Sequence, residues 1–231
     1  MYLPKKFVQL RLGNKLIIWI NPMSVNFKVG TWEPNLVRYK VWLDTLKTKY
    51  GVRGYIRKPI SRCFTLFDSF IINSDNYQSL SLIAKQEKFL KVKDMVEKRK
   101  DFRSSIWFQD LLDELEVNGQ ATHKKIKMHN PEEVEAFMSG YVVGLINSLI
   151  KEGFNLDKAG DIGSALIGAD GSIHKSKAGE HRFYCARALK LDRIPLLIRG
   201  VHEDWYRTHI GNQKDLKLLE KQLLKVQRNH S

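Results

Sequence analysis

Apolar and polar side chains alternate from Phe7 to Leu12, the period-two pattern of a strand. Gly13-Asn14 marks a turn, and Leu16 to Ile20 predicts a second strand that Asn21-Pro22 ends. From Leu36 to Tyr50, Val37, Val41, Leu43 and Leu46 recur at uneven helical spacing, and Gly51 to Gly54 stops them. Phe64, Leu66, Phe67, Phe70, Ile71 and Ile72 form a dense apolar run expected to pack against the core. Leu80 to Arg99 predicts a helix through Leu82, Ile83, Phe89, Leu90, Val92 and Val96. Ser104-Ser105 starts the next helix, whose face is Ile106, Leu111, Leu112 and Leu115, and Asn118-Gly119 stops it. Asn130-Pro131-Glu132-Glu133 supplies a cap, an N1 proline and an acid at N3, and opens a helix carrying Val134, Phe137, Tyr141, Leu145, Ile146 and Leu149 as far as Gly153.

The C-terminal third changes rhythm. Ser164 to Gly168 predicts a short strand, Ala169-Asp170-Gly171-Ser172 a tight turn, and Ile173 the start of a return strand. Gly179 leads into a helix with Phe183, Ala186 and Leu189 on one face. Ile194 to Ile198 predicts a strand, and Pro195, which cannot donate to a ladder, belongs at its beginning or on an edge. After Gly211-Asn212, Leu216, Leu219, Leu223, Leu224 and Val226 mark a short amphipathic basic helix expected to dock on the domain. The chain shows no repeats and no low-complexity segment.

Composition narrows the class. At 231 residues, with 43% hydrophobic and 10% aromatic side chains, the chain is globular, with room for one large domain or a core and an extension. Cys63 and Cys185 build neither a disulfide framework nor a zinc spacing, and Cys185 is expected to be a small buried hydrophobe. None of the seven histidines stands at metal-ligand spacing. No stretch reaches the roughly 18 apolar residues of a membrane helix. Lys5-Lys6 is followed by a run broken at Gln9, Arg11 and Asn14, unlike a signal peptide, so a cytoplasmic location is expected.

The formal net charge of +14 favours polyanionic partners: nucleic acid, an anionic membrane face or phosphorylated substrates. Two basic clusters stand out. Arg53, Arg57, Lys58 and Arg62 surround Tyr55, while Lys91, Lys93, Lys98, Arg99 and Lys100 crowd a helix end where cations are in any case stabilising.

The sharpest chemical signal is Gly179-Glu180-His181-Arg182. A glycine at a helix start lets an anion approach backbone N–H groups at the positive end of the helix. Arg182 adds a fork of donors suited to phosphate, His181 another donor, and Lys175 and Lys177 precede them in the loop. On these residues alone, a glycine at a tight turn beside a surface arginine accounts for the pattern equally well.

The box, followed by Ala186, Leu189-Lys190-Leu191 and Ile194-Pro195 and preceded by the Asp170-Gly171 hairpin, resembles the second conserved box of the ParB/sulfiredoxin-like family. In that family the box binds nucleotide phosphates. Its members include CTP-binding partition proteins, sulfiredoxins that use ATP, and free-serine kinases. Ile20-Asn21-Pro22 is similar to the family's first strand and turn. Gly30-Thr31-Trp32-Glu33, together with Arg199, His202 and Trp205, resembles elements of stand-alone members. There are departures. Glu180 stands where a sulfiredoxin has its cysteine, and Ala178 where the serine kinases have an aspartate. Residues 206–231 are shorter than the helix-turn-helix domain that partition proteins carry after the box.

The resemblance implies an α+β fold, a ParB/sulfiredoxin-like mixed core with a mostly helical insertion. Residues 1–35 would give its first strands, 36–153 the insertion, 154–210 the nucleotide-binding core and 211–231 the basic C-terminal helix. It implies a phosphotransferase moving phosphate from a nucleotide (ATP, ADP or CTP, with Mg²⁺) to a hydroxyl of a small molecule or sugar. Gly179, His181, Arg182 and Lys177 would hold phosphates, and Glu33, Glu180 or His202 would handle the acceptor proton. The alternative is a nucleotide-gated nucleic-acid-binding protein without catalysis, and the charge also suits peripheral contact with a membrane surface.

Overall fold

The computed structural model describes residues 1–30, 68–77, 80–157 and 162–231, together with Trp42, Thr45 and Lys49. Its elements run α1 (Lys5–Leu12), β1 (Ile17–Ile20), β2 (Phe27–Val29), β3 (Ile71–Ile72), β4 (Leu80–Leu82), α2 (Glu87–Glu97), α3 (Ile106–Asn118), β5 (Ala121–His123) and β6 (Ile126–Met128). Then come α4 (Pro131–Phe137), a π-helical turn (Met138–Val143), α5 (Gly144–Glu152), β7 (Gly163–Ile167), β8 (Ile173–Lys175), α6 (Glu180–Ala188), β9 (Ile194–His202), α7 (Glu203–Ile210) and α8 (Leu216–Asn229). The fold is α+β: a mixed sheet with a largely helical region between α2 and α5.

The sheet is built around β9. On one side β9 pairs in parallel with β7; on the other it pairs antiparallel with β1 at its start and parallel with β3 at its end. The order continues from β7 to β8, β2 and β4. Burial on both faces suits this central position: all five residues of β7 and seven of the nine in β9 are buried. Pro195, the second residue of β9, sits opposite Trp19 just before pairing with β7 begins at Leu196, so it costs no ladder bond to β7.

Local chemistry sets several boundaries as expected. Ser105 caps α3 by accepting from the Phe108 amide at 3.3 Å, and Gly119 ends that helix in the left-handed region. Asn130 Oδ1 accepts from the Glu133 amide at 2.9 Å, and Glu133 reaches back to the His129 amide at 2.7 Å. In α8, Leu219, Leu223 and Val226 are buried, and Gln227 Oε1 accepts from the Trp19 amide at 2.9 Å, fastening the C-terminal helix to β1.

Two expectations fail. Phe7 to Leu12 is helix, not strand, because Val8 and Leu12 also stand four residues apart and both are buried, while Phe7 and Leu10 face solvent. Leu80 to Leu82 is a strand on the sheet edge, and the helix starts only at Glu87. Antiparallel pairing with β2 overrides the helical spacing there. The stretch expected to be a helical insertion therefore contributes β3 and β4 to the main sheet. The expected helix over 36–50, the basic stretch 53–62 and Phe64, Leu66 and Phe67 of the apolar run lie outside the described residues, apart from Trp42, Thr45 and Lys49, while Phe70, Ile71 and Ile72 of that run are buried in the core.

Candidate functional site

The Gly179 box sits where β7 begins and β8 ends. Ser164 and the 176–178 segment are bound tightly: the Ser164 amide donates to Ala178 O at 3.2 Å, the Ser176 amide to Ser164 O at 2.9 Å, and the two serine hydroxyls lie 2.6 Å apart. Below them Lys175 is wholly buried, and its ammonium donates to the carbonyls of Ser164 (3.2 Å), Ser176 and Ala178. Burial pulls its pKa down to about 7, while the Glu180 carboxylate resists the loss of the proton. Lys175 thus props the loop from inside.

Gly179 is the N-cap of α6 at φ 66°, ψ 30°. A Cβ there would lie 2.5 Å from Gly163 Cα and 2.7 Å from Gly163 N. The glycine is required by packing against β7, whatever binds above it. It also leaves the first turn of α6 without a side-chain cap.

The next three residues have different fates. Glu180 is buried between two lysines, Lys28 of β2 at 2.5 Å and Lys88 of α2 at 2.6 Å. Burial pushes its carboxyl up, but the two ammonium groups outweigh that and hold it below the usual range. His181 stacks on Trp107 of α3, with centroids 5.4 Å apart and planes 26° from parallel, and lies 5.1 Å from the His123 ring of β5. Burial, then the Lys88 charge, lowers its pKa to about 3, so it is a neutral imidazole at neutral pH. Arg182 is half-buried and faces the same cleft as the exposed Lys177.

Two adjoining cavities result, of about 390 and 250 Å³, which share Lys88, Lys124 and His181. The larger has an aromatic wall of Trp107, His123 and His181. The smaller gathers Lys88, Lys124, Lys177 and Arg182 around Gly179. Lys124 comes from the β5–β6 turn, where it adopts φ 57°. The combination offers an aromatic wall beside a concentration of cations at a helix N-terminus, chemistry that complements an aromatic ring bearing phosphates.

Not every expected residue gathers here. Gly163, beside the box, pairs with Leu196, whereas His202 lies six residues further along β9, about 20 Å of extended chain away. His202 is buried at the opposite end of the sheet, where its Nδ1 accepts from the Asp204 amide at 3.2 Å and caps α7. Glu33 lies outside the described residues. Conversely, Lys28, Lys88, Trp107, His123 and Lys124 join the site without being singled out by sequence. They come from four separate elements and one turn that only tertiary packing brings to α6. Among the described residues there is no cluster of three or more metal-ligating His, Cys, Asp or Glu, and no helix long and apolar enough to cross a membrane.

The buried His181 has a measurable consequence. An unfolded histidine titrates near 6.5 and the folded one near 3, so between those values the unfolded chain holds the extra proton. Stability present above pH 6.5 is therefore lost as pH falls towards 3. Denaturant melts at pH 7 and pH 4.5 should show an acid loss in the wild type exceeding that of His181→Phe by about 2 kcal/mol. Equal losses in the two proteins would refute the buried neutral imidazole.

Comparisons with protein-family models, with curated proteins and with solved structures find no match to this chain.

Proposed function

We propose that the chain binds a nucleotide at the start of α6, the base against Trp107, His123 and His181 and the phosphates among Lys124, Lys177, Arg182 and the first-turn amides. The observation that carries this reading is the meeting of the aromatic and cationic halves of one cleft at an uncapped helix N-terminus. The neutral state of His181 fits a stacking surface and an N–H donor better than a cationic clamp. The ParB/sulfiredoxin-like resemblance supports this reading, since the hairpin, the Gly179 box, its helix and the Ile194-Pro195 strand follow one another in the order it implies.

In its enzymatic form, the reading is phosphoryl transfer from ATP, ADP or CTP, with Mg²⁺, to a hydroxyl of a small molecule or sugar. Catalysis would be mostly positioning and charge neutralisation by the lysines and Arg182. The acceptor base would then be Glu33, because Glu180 is engaged by Lys28 and Lys88 and His202 belongs to the other end of the sheet. The engagement of Glu180, with the net charge of +14, favours as a second reading nucleotide-gated binding of nucleic acid without catalysis. A steep fall of nucleic-acid affinity with salt marks that second reading.

Calorimetric titration of ADP and ATP tests the binding step. Lys124 and Lys177 are exposed, so their joint replacement by alanine should leave the melting temperature nearly unchanged while weakening binding about 10- to 100-fold. Undiminished affinity in the double variant would exclude this cleft as the phosphate site.

A further inference from the structure

The turn between β7 and β8 carries a second polar constellation, at the end of the sheet away from the Gly179 box. Ser172 Oγ donates to Asp170 Oδ1 at 2.5 Å and lies 2.9 Å from His174 Nε2. His174 Nδ1 is 2.6 Å from the Tyr77 hydroxyl. The four groups form one continuous chain. Room for it depends on Gly168, where a Cβ would lie 2.7 Å from His174 Cε1 and 2.8 Å from Ser172 Oγ.

Proton counting fixes the direction of the chain. Asp170 is held ionised by the hydroxyl and backbone N–H of Ser172, so it only accepts and the Ser172 proton is committed to it. His174 must then present Nε2–H to Ser172 Oγ, which leaves Nδ1 bare to accept from the Tyr77 hydroxyl. Burial keeps both rings neutral: it lowers the pKa of His174 and raises that of Tyr77. Tyr77 therefore spends its proton inward and keeps oxygen lone pairs as acceptors. His202, whose ring centroid lies 5.0 Å from that of Tyr77, uses Nδ1 as an acceptor for the Asp204 amide and so carries its proton on Nε2.

These groups line a cleft of about 400 Å³ to which Phe27, Leu80 and Ile173 add apolar surface. No lysine or arginine lines it among the described residues, in contrast with the cationic cleft at α6. A single hydroxyl can donate to Tyr77 and accept from His202 at once, and a largely apolar wall that holds no cation and whose one carboxylate, Asp170, is already met by Ser172 suits an uncharged body. We propose that this cleft is a second binding site, independent of the nucleotide reading, for a small uncharged molecule that presents a hydroxyl to Tyr77 and His202.

The test uses benzyl alcohol as probe, its methyl ether as the analogue without the donor, and benzoate as the charged analogue. Binding is followed by NMR shifts of Phe27 and Ile173 in the whole chain, with ¹⁵N spectra reporting the histidine tautomers. The expected result is saturable binding of the alcohol, at least about fivefold weaker binding of the ether and of benzoate, and the Nε2–H form of His174. Tyr77→Phe, with its melting temperature measured alongside, should lose the preference for alcohol over ether while keeping any apolar contribution. Equal binding of alcohol and ether to the wild type, an undiminished preference in the phenylalanine variant, tighter binding of benzoate, an Nδ1–H His174, or no saturable binding in the millimolar range would each overturn the proposal. The wild-type comparison with the ether stands even where the variant fails to fold.

Discussion

Gly179→Ala is expected to destabilise the protein by about 3 kcal/mol or more, a fall of about 10 °C in melting temperature for a chain of this size. Two effects add. The new methyl group would sit 2.5 Å from Gly163 Cα, so backbone rather than a flexible side chain must give way. The left-handed conformation at φ 66° adds about 1 kcal/mol for any residue with a Cβ. Relief by movement would part β7 from the start of α6 and unseat the Lys175 prop, so nucleotide affinity should fall with stability. Gly140→Ala and Gly144→Ala are the controls. Both lie in helical backbone with nothing within 4 Å of the place a methyl group would take, and each should be neutral or stabilising by up to about 1 kcal/mol. Thermal and urea melts of the three variants check the contrast. A tolerated alanine at 179 would mean that the glycine is not held by packing.

Arg187→Leu is expected to cost about 3–5 kcal/mol. The guanidinium is buried and donates from Nη1 to Pro22 O at 2.7 Å, Met23 O at 3.2 Å and Val25 O at 2.7 Å, and from Nη2 to Asn26 Oδ1 at 3.1 Å. It clamps the 22–26 segment onto α6 and so sets where β2 begins. Leucine keeps much of the volume but removes every one of those donors. Lysine should recover only part of the loss, because one ammonium cannot reproduce the planar fork. Hydrogen exchange should quicken from Asn21 through Val29 in the leucine variant, with Lys28 drifting from Glu180. Arg193, which lies over the Trp19 ring at 5.3 Å, is the surface comparison, and Arg193→Leu should cost less than about 1 kcal/mol.

These two residues also mark how far the sequence can be read. The β7–β8 hairpin and the caps of α3 and α4 were legible because each rests on chemistry within a few residues, and Gly179 was legible as a helix start, although what requires a glycine there is contact with the distant Gly163. Arg187 was not: its partners lie more than 160 positions earlier, and nothing near it marks it as structural. The strand-like alternation of Phe7 to Leu12 hid a helix because six residues satisfy both periods. β4 was read as helix because the spacing of Leu80 and Leu82 gives no sign of the β2 edge that recruits them. In the site, Lys177 and Arg182 beside Gly179 were visible, while Lys88, Lys124 and the aromatic half from Trp107 and His123 were not. His202 is only 20 positions from Arg182, yet β9 carries it along the sheet to the other end.

The most direct measurement of the central claim is a titration of isotope-labelled protein with ATP and Mg²⁺, reading the amides of Glu180, His181 and Arg182 and the indole N–H of Trp107. The account predicts saturable shifts at all four, weakened by replacing Lys124 and Lys177, and little change at Tyr77 and His202. Absence of saturable shifts at millimolar nucleotide, or shifts confined to the Tyr77 end of the sheet, would contradict it.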